Sequence, residues 1–449
     1  MQNSLLSKYS GAVPRYTSYP TAPHFHEGVD CGIYTQWLKA VTGRERISLY
    51  LHIPYCDRLC WFCACHTKHT LKYEPIAIYL ESLKKEIAAV GAIVTSEAEV
   101  TAVHFGGGSP TMLRPEDMIG LMDALKAAFH FASDVEISVE MDPNDLDEPR
   151  YDALAAIGMT RASLGVQDFH PDVQRAINRI QTFDHTKSVV KAVRARGVHS
   201  VNCDILYGLP HQTEATLTDT VNDILSLKPD RIALFGYAHV PWMKKHQTMI
   251  REDILPGLEE RFAQMSLAAA MLVAAGYEPV GIDHFALPTD SMAVAAREGR
   301  LKRNFQGYTE DAAEVLIGLG ASSIGQLPGG YVQNMPATGE YQRMADGQGL
   351  ATVRGVALTE DDRMRRTVIE EIMCRFALNF DALRDAFGPL ATDVVAEARS
   401  FAAGNRDGIC RIEGELFVIT DAGRPFARTI AAVFDSYLSN GKGRHSVAV

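Results

Sequence analysis

The chain predicts an α/β fold built on a parallel sheet curled into a barrel or part of one. Strand-like and helix-like segments alternate about six times, in steps of about 25 to 50 residues. The first strand candidate sorts its side chains between two faces, and the intervening segments repeat apolar residues at helical spacing. At 449 residues the chain can bury one large core plus a smaller domain. An open doubly wound sheet is the alternative arrangement of the same elements.

Residues 47–53, ISLYLHI, put Ile47, Leu49, Leu51 and Ile53 on one face and Tyr50 and His52 on the other. Pro54 then stops the strand. A helix follows, with Ile76, Leu80, Leu83, Ile87 and Val90 at helical spacing and Pro75 near its start. VTAVHF ending at Phe105, VEISVEM ending at Met141 and RASLGVQ ending at Gln167 continue the strand series, which SVNCDILYG and RIALFGYAHV complete. Between the last two, Leu217, Val221, Ile224 and Leu225 mark another amphipathic helix.

After about residue 350 the pattern changes. TEDDRMRRTVIEEIM opens with a capping-box pair, Thr359 and Asp362, then shows Met364, Val368 and Ile372 on one helical face. ICRIEGELFVIT reads as two short strands joined at Glu413 and Gly414. Residues 351–449 are therefore expected to form a small, mainly helical, winged-helix-like domain, after a barrel with its extension over 46–350 and a leader over 1–45.

Composition is that of a soluble globular protein, 47% hydrophobic and 22% charged. A net charge of −11 argues against a general nucleic-acid binder, so the small domain reads as a packing or substrate-covering module. MQNSLLSKYSGAV has no basic stretch followed by an apolar run, and AAAMLVAAGY is too short to span a bilayer. A cytoplasmic protein is expected, with neither nucleic acid nor membrane as partner.

Four cysteines fall in CDRLCWFCAC: Cys56, Cys60, Cys63 and Cys65. Thiolates bunched in one loop can surround only a small object, and iron–sulfur clusters are held by such thiolates. Zinc competes, since four cysteines make a tetrahedral set, although structural zinc sites usually split their ligands into two pairs and no second pair follows. Disulfides fit poorly: Cys31, Cys203, Cys374 and Cys410 are scattered in a chain too large to need staples.

Polar residues recur where the strands end, and in barrels of this kind chemistry collects there. Gly106, Gly107, Gly108 and Ser109 end the second strand, where glycine lets backbone approach a ligand, although a tight structural turn explains them as well. Glu140 and Asp142 end the third, Gln167 and Asp168 the fourth, and Asp204 the fifth. Their recurrence favours a binding role over solvated or capping side chains. Arg179, in RAINRIQ, reads equally as a surface ion pair.

The CxxxCxxC spacing resembles the signature of the radical S-adenosylmethionine (SAM) superfamily, in which three cysteines hold three irons of a [4Fe–4S] cluster and the fourth iron is left for SAM. PRYTSYPTA, LHIPYCDRLCWFCAC, HFGGGSPT, VEMDP, GVQDF, DILYGLP, GIDHFALP and RNFQGYT together resemble the oxygen-independent coproporphyrinogen III oxidase family along nearly the full length. Cys65 and the PRYTSYP leader separate the chain from related heme-trafficking proteins, which usually lack both.

The resemblance implies a partial (β/α)6 radical SAM barrel, with Cys56, Cys60 and Cys63 as cluster ligands and Cys65 needed without being one. It implies two SAM molecules. Tyr50, Phe62, Gly107, Glu140 and Ile324 fall to the SAM on the cluster; Gly108, Ser109, Gln167, Arg179, Asp204 and Ala238 fall to the second. Gln306 matches a position near the active site. Ser109 stands where threonine is common and Ala64 where glycine is common.

The implied reaction turns two propionates of coproporphyrinogen III into vinyl groups, with a low-potential donor such as flavodoxin or ferredoxin supplying electrons to a monomer. The substrate's four carboxylates need cations, and Arg15, His284, Lys302 and Arg303 are the candidates, with the leader around Arg15 folding over the substrate. A heme chaperone on the same scaffold and a radical SAM enzyme acting on another tetrapyrrole are the alternatives.

Overall fold

The computed structural model describes residues 2–438. Six strands run β1 (Ile47–Ile53), β2 (Glu99–Gly107), β3 (His130–Met141), β4 (Arg161–Gln167), β5 (Ser200–Tyr207) and β6 (Arg231–Gly236). Each pairs in parallel with the next, so neighbours in sequence are neighbours in the sheet. A doubly wound sheet would reverse its strand order at a switch point, and this one does not. The helices between, among them Glu74–Gly91 and Glu214–Leu227, cover one face. The sheet is left open at both ends, which makes a partial barrel.

The sheet is wider than six strands. After β6 come β7 (Glu278–Val280), β8 (His284–Ala286), the small hairpin β9 (Lys302–Asn304) and β10 (Gly307–Thr309), then β11 (Val315–Leu319), β12 (Ile324–Leu327), β13 (Gly330–Asn334) and β14 (Thr352–Ala357). β11 pairs in parallel with β1, as a seventh parallel strand. β12 to β14 extend that edge antiparallel, and β8 and β7 extend the other beyond β6. β6 ends at Gly236, sooner than RIALFGYAHV suggests, and the chain leaves it for a short 3-10 turn at Lys245–Met249.

The face beneath the helices is hydrocarbon. Ile47, Leu49, Leu51 and Ile53 are fully buried against Ile76, Leu80, Leu83 and Ile87. One carboxylate is built into this layer: Glu86 accepts from Gly320 N–H (2.7 Å), the Tyr341 hydroxyl (2.6 Å) and the Asn334 amide (2.6 Å). Those bonds join the first barrel helix to the seam behind β11. Burial nonetheless pushes Glu86 up to about 7.

A second core joins the C-terminal domain to the leader. The helix Glu360–Arg375 starts with the Thr359–Asp362 capping box, and a three-stranded antiparallel sheet, β15 (Ala377–Asn379), β16 (Cys410–Glu413) and β17 (Leu416–Ile419), follows the winged-helix pattern. Leu5, Leu6, Tyr9, Tyr16 and Tyr19 pack into that core. The Tyr16 hydroxyl donates to Asp435 (3.0 Å), and the Tyr19 hydroxyl bonds Ser436 (2.9 Å). The leader's other half, helix Cys31–Lys39, packs on the barrel through Tyr34 and Leu38.

Candidate active site

The cysteine loop leaves β1 at Pro54 and is tied down from three sides. Thr70 N–H donates to Cys56 O (3.0 Å), the Asn178 amide to Leu59 O (2.9 Å) and Trp61 N–H to Ile177 O (2.9 Å). From beyond β6, Gln247 donates to Phe62 O (2.8 Å), His246 Nε2 to Cys63 O (2.7 Å) and Lys244 to Cys65 O (2.8 Å). All of these bonds end on carbonyls and not on the thiols.

Among the described residues, no three of the thiol sulfurs lie within 4.8 Å of one another. Four-coordinate zinc would draw them to about 3.8 Å, given Zn–S bonds of about 2.3 Å. By its chemistry, an all-thiol donor set in one loop suits an iron–sulfur cluster. Arg179 reaches Cys60 Sγ at 3.6 Å and pairs with Asp142 at 2.9 Å, and both side chains are buried. Cys65 N–H donates to Cys63 Sγ (3.4 Å), and hydrogen bonding from Cys65 lowers the Cys63 thiol. The fourth cysteine thus tunes a neighbour and is itself exposed.

Cross-strand register sets a polar row on the inner face of the sheet. Tyr50 lies opposite His104, and its ring stacks on that imidazole at 5.7 Å. His104 Nε2 donates to Glu140 Oε1 (3.1 Å), and Gly107 N–H donates to Glu140 Oε2 (2.9 Å). Burial alone would raise the Glu140 carboxyl, but the His104 bond and charge together with the Gly107 bond hold it below the usual range. His52 is dragged down to about 4, chiefly by burial, so its neutral ring donates from Nε2 to His66 O and accepts the Tyr50 proton at Nδ1 (3.0 Å).

Farther along the row, Asp204 accepts from the Asn202 amide (2.7 Å), and burial raises its carboxyl to about 6. Arg179 Nε and Asn202 Oδ1 are buried without hydrogen-bond partners among the described residues. Gln167 ends β4 in the left-handed region, at φ 71°. The glycine run is forced by crowding: a Cβ on Gly106 would meet the Glu140 carboxyl at 2.9 Å, and one on Gly108 the Tyr55 carbonyl at 2.5 Å. Ser109 is buried and donates to Asp145 (2.5 Å).

Other expected residues are placed differently. Asp168 accepts from the Gln212 amide, His170 N–H and the Thr220 hydroxyl, so it serves the fold and not a ligand. Phe62 packs on the hydrophobic cluster around Val173 and Leu206. Ile324 lies in β12 with its backbone against Gly318, the partner of Tyr50 across β11.

A cavity of about 930 Å³ opens between the barrel, the leader and the C-terminal domain. Ala238 and Gln306 line it, as do Arg15, Arg261, Arg303 and Arg428. Lys302 does not contribute: it turns outward to Glu370 (3.1 Å), because adjacent strand residues face opposite sides and Arg303 takes the inner one. His284 is also outside the lining, held between Phe235 and Tyr308 and bonded to Asp283 (2.7 Å). His104, the loop-binding trio from Lys244 to Gln247, Arg261 and Arg428 escaped the sequence reading. His104 alone had a signal there, as the polar residue facing Tyr50's side of the next strand.

The chain matches the model of the radical SAM superfamily over residues 50–224 and that of the HemN C-terminal domain over residues 358–426. It is 46% identical over 437 residues to an oxygen-independent coproporphyrinogen III oxidase of Bradyrhizobium diazoefficiens, covering 97% of each chain. It is 39% identical to that of Pseudomonas aeruginosa, covering 97% of this chain and 95% of the other. The solved structure of the coproporphyrinogen III oxidase HemN from Escherichia coli, a radical SAM enzyme, aligns with a TM-score of 0.90 at 37% identity, over 94% of this chain and 97% of that one.

Proposed function

The chain belongs to the oxygen-independent coproporphyrinogen III oxidase family, and we propose that the residues described above carry that family's reaction here. It is a radical SAM oxidoreductase of heme biosynthesis that decarboxylates two propionates of coproporphyrinogen III to vinyl groups, giving protoporphyrinogen IX. A [4Fe–4S] cluster and SAM bound there would supply low-potential electron transfer and the radical chemistry that takes a hydrogen from the propionate β-carbon.

The chain's own residues bind, orient and exclude water. Cys56, Cys60 and Cys63 hold the cluster, an assignment supported by a loop whose backbone is clamped while its thiols are left open. Glu140, kept ionised by His104 and Gly107, presents a carboxylate inside the barrel with Tyr50, Phe62 and Ile324 around the first SAM. Asp204, Arg179, Gln167, Gly108, Ser109 and Ala238 serve the second. The orphaned Arg179 Nε supports this, since the guanidinium still has a donor to give. Gln306, which lines the cavity, and Cys65 serve the conversion of the substrate without holding the cluster.

The observation that carries this reading is a guanidinium-lined cavity that reaches Ala238, whose carbonyl accepts from the same Gln247 amide that binds Phe62 O in the cysteine loop. A reduced low-potential carrier such as flavodoxin or ferredoxin donates the electrons to a monomer in the cytoplasm, where an oxygen-sensitive cluster survives. No helix among the described residues is long and apolar enough to cross a membrane. Anaerobic incubation with coproporphyrinogen III, SAM and dithionite, scored as protoporphyrin after oxidation, tests the assignment. Product supports the enzyme; binding without conversion by iron-replete protein supports a heme chaperone.

A further inference from the structure

The cavity carries more positive charge than its own carboxylates neutralise. Arg424 is spent on Asp421 at 3.2 Å, which leaves Asp283 facing Arg15, Arg261, Arg303 and Arg428. Arg15, Arg261 and Arg303 form no salt bridge among the described residues. In a chain of net charge −11, such a concentration of cations around one cavity marks a receptor for anions.

Two of these arginines are held by three consecutive carbonyls of the leader, the third of them that of Arg15 itself. Arg428 donates to Val13 O (2.7 Å) and Pro14 O (3.2 Å), and Arg303 Nη2 donates to Arg15 O (3.2 Å). The Arg303 guanidinium is further fixed 4.4 Å over the Tyr308 ring. Its Nε and Nη1 are buried with no acceptor among the described residues. A charged donor left unsatisfied in the interior is costly, and an anion in the cavity removes that cost. Burial and the charges of Arg15 and Arg303 bring Arg428 down to about 10, in keeping with like charges held close together.

Arg261 occupies a different end. A Cβ on Gly208 would meet its Nη1 at 2.7 Å, and one on Gly236 its Nη2 at 3.2 Å, so it lies over the ends of β5 and β6, close in sequence to Ala238. Four propionates must therefore be divided between two poles. A carboxylate locked by guanidiniums is stabilised as the ground-state anion, and a reacting carboxylate must shed its charge as carbon dioxide leaves. The tight clamp is useful only on groups that do not react.

We propose that Arg303, with Arg15 and Arg428, binds the propionates that survive the reaction and are common to substrate and product. This rests on the coproporphyrinogen reading above. The clamp sets which two side chains are presented at the barrel end, so it orients the macrocycle.

Equilibrium binding of two redox-stable probes tests it: coproporphyrin III, which has four carboxylates, and protoporphyrin IX, which keeps only the surviving two. Arg303→Gln should weaken both by a similar factor, about tenfold or more for a lost charge-assisted hydrogen bond. Arg15→Gln, on an exposed leader residue, should weaken both in the same ratio to a smaller extent, and it remains readable if Arg303→Gln fails to fold. Unchanged affinity for both probes in a folded variant overturns the proposal. So does a loss confined to coproporphyrin III, which would put Arg303 on a reacting propionate. Binding needs no turnover, so a wild-type chain that binds both probes in this pattern yet forms no product removes the reaction and leaves the clamp.

Discussion

The guanidinium of Arg179 lies 3.6 Å from the sulfur of Cys60 and 2.9 Å from Asp142, where it bridges the cysteine loop and the end of β3. Replacing it by glutamine withdraws a buried cation from both. Asp142 is then left as a buried charge, at a cost of about 3–5 kcal/mol. Thermal unfolding should reveal that loss. In reconstituted protein the cluster potential should also move to more negative values, because a nearby cation favours the reduced form. Redox titration followed by EPR checks the direction, and an unchanged potential would mean that Arg179 does not influence the cluster.

The four loop cysteines should divide three to one. Cys56→Ala, Cys60→Ala and Cys63→Ala should each abolish cluster reconstitution, whereas Cys65→Ala should retain iron and lose turnover. Iron and sulfide analysis run beside the activity assay separates the two classes. An intact cluster signal in any of the first three would exclude that residue as a ligand.

SAM binding should weaken as pH falls through about 6, the value to which burial raises Asp204. The sign follows from the acceptor count. A carboxylate accepts hydrogen bonds from ribose hydroxyls at both oxygens, and protonation takes one acceptor away. Glu140, Arg179 and His284 are the charged or titratable neighbours that act on Asp204, and Glu140, already held low, stays ionised across this range. Isothermal titration from pH 5 to 8 should show the loss, and Asp204→Asn should flatten it while sparing the iron content.

Glu86 offers a test of the scaffold alone. Glu86→Ala strands the Tyr341 hydroxyl, the Gly320 N–H and the Asn334 amide in the interior, and should cost about 2–4 kcal/mol. In the wild type, its folded pKa of about 7 lies above the unfolded value. The native state therefore holds the extra proton between those values, and this group's contribution to stability declines as pH rises toward 7. Denaturant melts of both proteins at pH 5.5 and 8 check both effects.

The barrel was legible because β1 to β6 and the helices between them differ in the period of their apolar residues. β11 was not, since Val315–Leu319 is a buried five-residue run with no alternation, and its place beside β1 is set by packing. The cysteine spacing announced a cluster-sized site. Its supports were silent: Lys244, His246 and Gln247 bind backbone carbonyls, which leave no mark in the sequence. The cavity arginines were only partly visible. Arg303 was read together with Lys302, although neighbouring strand residues point apart, and Arg428 sits on the short helix Ala427–Ala431, whose direction depends on the leader.

Release of labelled carbon dioxide from propionate-carboxyl-labelled coproporphyrinogen III, under nitrogen and with iron-replete protein, tests the whole account most directly. Two molecules released per protoporphyrinogen formed, absent when SAM is omitted, is the expected result. No release from cluster-loaded protein that binds both SAM and the tetrapyrrole would contradict it.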